Sequence, residues 1–263
     1  MKTLTLANQK GGVGKSAILT QLAYYFNEQN LKVLVIDLDH QANTSKAITK
    51  SGLATVSKIN SHALLADKID KIEKDNFVLI ASSPDLIKVE KKSELMDNNK
   101  KYANTFVNNF DQFLKTIQKD FDICLIDTNP NPDIRLTIAL ATSNYVLSPI
   151  QLNQEALDGI AALKRDIHTI QTVNKNLKFI GILPNLVEPT PFQKDNFVEL
   201  VTRYKEMMIS LNNDTVASIA KRSIIAEAQA AAMPFWKMPK STARTTWNEI
   251  KPIFDFIKET MGV

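Results

Sequence analysis

The sequence predicts an α/β fold, a doubly wound, mostly parallel sheet with helices on both faces. Short, continuous apolar runs recur along the chain, the pattern of strands covered on both sides. Helix-periodic segments separate them, as parallel crossovers require. The chain has 263 residues, 44% of them hydrophobic, enough to bury a full core. No Gly/Ser-rich or Pro-rich linker divides it, and no internal repeat is visible, so residues 1–263 are expected to form a single domain.

The elements follow in order. Residues 3–7 predict a first strand. Residues 15–29 place Ile18, Leu19, Leu22, Ala23 and Phe26 on one helical stripe. Asn30 stands where a left-handed helix stop suits asparagine. Residues 32–38 predict a buried strand, and similar runs follow at 77–81, 121–126, 144–150 and 178–183. Helices are expected near 105–118, 133–142, 155–173 and 192–210, with another short strand near 214–219. Residues 50–75 and 86–104 are polar and irregular, and read as surface segments, partly helical. In the last helix Trp247, Ile250, Phe254, Ile257 and Met261 recur at core spacings, and Pro252 marks either a kink or a late helix start.

Composition excludes several classes. Lys and Arg number 32 against 28 Asp and Glu, a net charge of +4 that permits an anionic partner without demanding one. Cys124 is the sole cysteine, so no intrachain disulfide forms and no paired-thiolate iron–sulfur site can be built. No His/Cys cluster points to a transition metal. The N-terminal apolar stretch is too short for a signal peptide, and no run approaches the roughly 18 apolar residues of a spanning helix. A soluble, cytoplasmic protein is expected.

Three of the seven glycines fall in Gly11-Gly12-Val13-Gly14, followed by Lys15-Ser16. The run follows a strand and opens a helix, the context a phosphate loop needs. Glycines let backbone N–H groups converge on phosphate oxygens, and the helix start adds its positive dipole end. Lys15 is placed to reach the β- and γ-phosphates of ATP and the Ser16 hydroxyl to bind Mg²⁺. Asp37 and Asp39 share one side of the second strand's carboxyl end, where α/β sheets bind ligands. Asp127 ends another apolar strand in the Walker B arrangement, to hold Mg²⁺ through water or accept from Ser16.

The run Asn8-Gln9-Lys10-Gly11-Gly12-Val13-Gly14-Lys15-Ser16 resembles the deviant Walker A motif of the ParA/MinD ATPases. That resemblance makes Lys10 the signature lysine, which crosses a dimer interface to the partner's nucleotide. It extends over nearly the whole chain. It places Asp37 near the Mg²⁺ shell and gives Asp39 the task of orienting or deprotonating the attacking water. The nucleotide contacts it implies run from Lys10 to Ala17. Asn185 reads either as an adenine contact or as a turn residue bonded to local backbone.

The chain departs from the family pattern in several places. His40 stands where proline is usual, and Ala17 where threonine is usual. Asp127-Thr128-Asn129-Pro130-Asn131-Pro132-Asp133 alters the usual Asp-x-Pro-Pro loop. Ile224 replaces a common arginine.

Residues 220–258 carry seven Lys/Arg and three Asp/Glu. By resemblance, Lys221, Arg222, Lys237, Lys240 and Arg244 belong to a face for non-specific DNA. The resemblance implies a partition ATPase that pairs into a homodimer with ATP and Mg²⁺. It would bind nucleoid DNA and be stimulated to slow hydrolysis by a ParB-like centromere-binding protein. Two other readings are a MinD-like membrane-positioning ATPase and a metabolic ligase of related fold. The last helix lacks the strongly basic face that would favour anionic lipid, so no membrane partner is expected.

Overall fold

The computed structural model describes residues 1–89, 100–211 and 215–263. Seven strands form one parallel sheet: β1 (Lys2–Leu6), β2 (Val33–Asp37), β3 (Thr55–Val56), β4 (Phe77–Ile80), β5 (Ile123–Asp127), β6 (Tyr145–Ile150) and β7 (Lys178–Pro184). Their order across the sheet is β3-β4-β2-β5-β1-β6-β7. The register sets Asp37 opposite Asp127, and Asp127 opposite Leu6. Three strand ends are therefore level beside the loop that follows β1.

Both faces are covered, which explains the uninterrupted hydrophobicity of the strands. Val33, Val35, Ile123 and Leu125 pack on one face against α1 (Lys15–Glu28) and the C-terminal helices. Leu34, Ile36, Cys124 and Ile126 pack on the other. There Phe106, Phe110 and Phe113 of the helix Lys100–Ile117 recur at helical spacing. Each fully buried phenylalanine contributes about 2–3 kcal/mol. Cys124 is wholly buried and its thiol is pushed far above the usual range by that burial.

Most predicted boundaries hold within a few residues. Helices span Ile134–Thr142 and Gln154–Val173. Asp133 and Asn153 cap them by accepting from Arg135 and Ala156 backbone N–H groups. Asn30 is left-handed, with φ 59°.

Four expectations change. The helix predicted over 192–210 spans Pro191–Tyr204, followed by a 3₁₀ turn at Lys205–Met207. The chain after it runs against β7, where Gly181 makes room: a Cβ there would stand 2.9 Å from Ile209 Cγ1. The strand expected near 214–219 is Thr215–Val216, paired antiparallel with Ser210–Leu211 outside the main sheet. The segment 50–75 adds edge strand β3 and the helix Ser61–Ala66, preceded by a helix, Asn43–Ser51, too short and polar to show periodicity. Within 86–104, residues 90–99 lie outside the described residues.

The last helix, Ser241–Met261, begins early and runs through Pro252, so the late-start alternative is corrected. Ile250, Phe254, Ile257 and Met261 are buried as expected. Trp247 stacks on Trp236, ring centres 4.4 Å apart. Nearby, the Tyr25 hydroxyl donates to Asp255. No described helix is long and apolar enough to cross a membrane.

Candidate nucleotide site

The β1–α1 loop leaves the centre of the sheet and is braced from several sides. Asn8 Nδ2 donates to Pro149 O at 2.6 Å, and its Oδ1 accepts from Lys10 N at 2.7 Å. Gln151 Nε2 donates to Gly12 O at 3.1 Å. Asn185 Nδ2 donates to Val13 O at 2.8 Å, while Asn185 N donates to Ile150 O.

Gly14 is left-handed, with φ 87°, and caps α1. A Cβ at Gly14 would fall 2.3 Å from Asn185 Nδ2, so both conformation and close approach require glycine. The first turn of α1 carries no acidic residue, leaving its N-terminal dipole end for an outside anion.

A cavity of about 590 Å³ opens above this loop. Gly11, Gly14, Lys15, Ser16, Asp39 and Thr128 are on its wall, as are Gly12, Val13 and Ala17. Its size and polar floor suit a nucleotide. Lys15 is nearly buried, and its Nζ donates to Asn8 O at 3.0 Å and to Lys10 O at 3.4 Å. Burial lowers its pKa below the lysine range, with Asp127 and Asp39 opposing that shift.

The acidic strand ends divide into distinct roles. Asp127 is fully buried; its Oδ2 accepts from Thr44 Oγ1 at 2.7 Å, whereas its Oδ1 has no hydrogen-bond partner. Its pKa is raised, chiefly by burial, with Thr44, Ser16 and Lys15 opposing. An orphaned carboxylate oxygen beside a serine hydroxyl fits a hydrated divalent cation.

Asp37 is also fully buried, but both its oxygens are occupied. Oδ1 accepts from Asp39 N, and Oδ2 from Ser45 N and Ser45 Oγ at 2.8 and 2.6 Å. Burial raises its pKa, and the Asp127 charge adds to that shift. Asp37 shapes the turn into the helix Asn43–Ser51 and does not line the cavity. Asp39 does, with Oδ1 accepting from Gln41 N at 3.0 Å.

The remaining candidates lie elsewhere. Lys10 is not on the wall of that cavity; it lines a second, smaller one of about 270 Å³ and pairs there with Glu155. Asn185 sits under the loop rather than on the cavity wall. Lys221 pairs with Glu188, Arg222 with Glu249, Lys237 with Glu28 and Lys240 with Glu227. Arg244 shows no ion pair among the described residues. Sequence reasoning missed Thr44 and Ser45, which hold the fully buried Asp127 and Asp37. It also missed Arg135, which is fully buried on Asp133. No motif spacing marks any of these three.

A strand, a glycine loop closed on a helix N-terminus, a buried lysine and two acidic strand ends define a P-loop nucleoside-triphosphatase fold. The family model described as "AAA domain" matches residues 1–179. Over its full length the chain is 34% identical to Protein IncC of Escherichia coli, covering 71% of that protein. It is 30% identical to the chromosome-partitioning ATPase Soj of Treponema pallidum, over 77% of this chain and 78% of Soj.

Among solved structures, a plasmid partition protein from Borrelia burgdorferi superposes with TM-score 0.69 at 22% identity, covering 98% of each chain. An ATP complex of McdA from Cyanothece gives TM-score 0.73 at 20% identity, covering 100% of this chain and 97% of McdA. The chain belongs to the ParA/MinD family of P-loop ATPases.

Proposed function

We propose that the protein is a nucleotide-switched partition ATPase that pairs with a second copy when it binds ATP and Mg²⁺, and then holds DNA without reading sequence. The observation that carries this reading is the placement of the two loop lysines. Lys15 lies on the wall of the nucleotide cavity, whereas Lys10 is off that wall and pairs, among the described residues, with the exposed carboxylate of Glu155. Such a cation is free to exchange Glu155 for phosphate oxygens approaching from outside.

In this reading the Gly11–Ser16 backbone and Lys15 cradle the β- and γ-phosphates, and Asp39 orients the attacking water. Ser16 and Asp127 hold Mg²⁺, which neutralises phosphate charge when bound. Asp37 keeps these groups in place from behind. For Asn185 the geometry favours support of the loop over contact with adenine.

Lys221, Arg222, Lys237, Lys240 and Arg244 supply the DNA face, the first four exchanging their glutamate partners for phosphates. The partner that stimulates hydrolysis is a ParB-like centromere-binding protein. The setting is a cytoplasmic, nucleoid-associated homodimer.

The test is retention on DNA with ATP, with ADP and without nucleotide, across a salt series. Retention that needs ATP and falls steeply with salt supports the reading. Equal retention in the three nucleotide states would remove the switch.

A further inference from the structure

Two departures from the family pattern, His40 after β2 and the altered loop after Asp127, meet in space. Their link is Arg135, whose side chain is fully buried. Asp133 accepts from Arg135 Nε at 2.9 Å and from Arg135 Nη2, and also from Asn129 Nδ2 at 2.7 Å. Arg135 Nη1 lies 3.3 Å from His40 Nδ1.

A guanidinium can only donate, so Nδ1 is the acceptor in this contact and the imidazole proton resides on Nε2. The Asp39 carboxylate is 3.7 Å from the same nitrogen, too far for a hydrogen bond. His40 Nε2 is 2.9 Å from the Gln41 side-chain amide. The amide atom facing it is Gln41 Nε2, so this tautomer requires the Gln41 amide to be turned over, its oxygen then accepting from Nε2–H. Gln41 N in turn donates to Asp39 Oδ1 at 3.0 Å. Gln41 and Asp39 both line the nucleotide cavity.

A buried guanidinium is costly to desolvate, and packing alone would be met by an apolar side chain of similar volume. Capping does not require it either, because Asp133 caps its helix through backbone N–H groups. What the arginine adds is a rigid fork between the two loops that flank the reacting end of the site.

We propose that Arg135 is a positioning residue for hydrolysis. It acts through His40 to keep the Asp39–Gln41 turn in register with the Thr128–Asp133 loop. The proposal rests on the reading of Asp39 as the water-orienting group. It also accounts for a histidine in place of the usual proline: stiffness that a proline ring would give the turn comes here from a side-chain brace.

The experiment is single-turnover hydrolysis of radiolabelled ATP with Mg²⁺. It is run beside titration of a fluorescent ATP analogue, for wild type, Asp39→Ala, His40→Ala, Arg135→Lys and the His40→Ala/Arg135→Lys double variant. Each of the two brace variants is expected to slow hydrolysis about tenfold while analogue affinity stays within about twofold, and the double variant to be no slower than the slower single one. Wild-type hydrolysis in His40→Ala overturns the proposal, as does a double variant whose loss equals the product of the single losses.

Should Arg135→Lys unfold, seen in its thermal melt, His40→Ala decides alone, since His40 is partly exposed. If Asp39→Ala loses hydrolysis and His40→Ala does not, only the brace is refuted. If Asp39→Ala hydrolyses at the wild-type rate, the underlying reading of Asp39 fails with it.

Discussion

The β1–α1 loop and the basic stretch after residue 220 both looked cationic in sequence, yet the structure treats their charges differently. In the loop, Lys15 is nearly buried and hydrogen-bonds to backbone carbonyls, with the carboxylates of Asp39 and Asp127 nearby. In the basic stretch, Lys221, Arg222, Lys237 and Lys240 are exposed and each is matched to a glutamate. A site is defined by convergence of strand ends, backbone conformation and burial. A count of positive charges defines only a potential, and neighbouring carboxylates can cancel it. Lys10 stands between the two cases: it belongs to the loop by position, and to the paired surface cations by contact.

The contrast can be broken first at the loop. Gly14→Ala is expected to reduce binding of a fluorescent ATP analogue at least about a hundredfold, because a Cβ meets Asn185 and the left-handed backbone is strained. Affinity within a few-fold of wild type would mean that the loop tolerates a different path. Next in size is Asn185→Ala, which leaves the buried Val13 carbonyl without its donor. A stability loss of about 1–3 kcal/mol is expected by denaturant unfolding, with weaker analogue binding. An unchanged midpoint would show that the brace is dispensable.

The smallest effects belong to the basic stretch. Lys240→Ala should change unfolding free energy by less than about 0.5 kcal/mol, since it removes an exposed ion pair. Removing the opposing carboxylates sharpens the comparison further. The Glu188→Gln/Glu227→Gln/Glu249→Gln variant is expected to bind DNA several-fold more tightly at fixed salt, read by filter retention. Weaker retention would place these residues outside the DNA face.

Sequence alone made the sheet legible because strands buried on both faces carry unbroken apolar runs, as Val33–Asp37 and Ile123–Asp127 do. The loop was legible because Gly11, Gly12, Gly14 and Lys15 obey a spacing imposed by phosphate geometry. Short, polar elements were not: Asn43–Ser51 and Thr55–Val56 owe their conformation to what they pack against.

Nor could the sequence show how differently Asp37, which the family resemblance set near the Mg²⁺ shell, and Asp39 are held. Adjacent in pattern, they differ because Ser45 and the Asp39 N–H saturate one and leave the other at the cavity. The Arg135 brace joins residues 95 positions apart through a contact that no local pattern records.

The account centres on Lys10 leaving Glu155 to reach the nucleotide of a second copy. Sedimentation velocity with Mg²⁺ and ATP, compared with ADP, for wild type and Lys10→Ala tests this directly. Wild type should sediment as a dimer with ATP and as a monomer with ADP, and Lys10→Ala should bind ATP yet stay monomeric. A Lys10→Ala protein that dimerises with ATP as wild type does would contradict it.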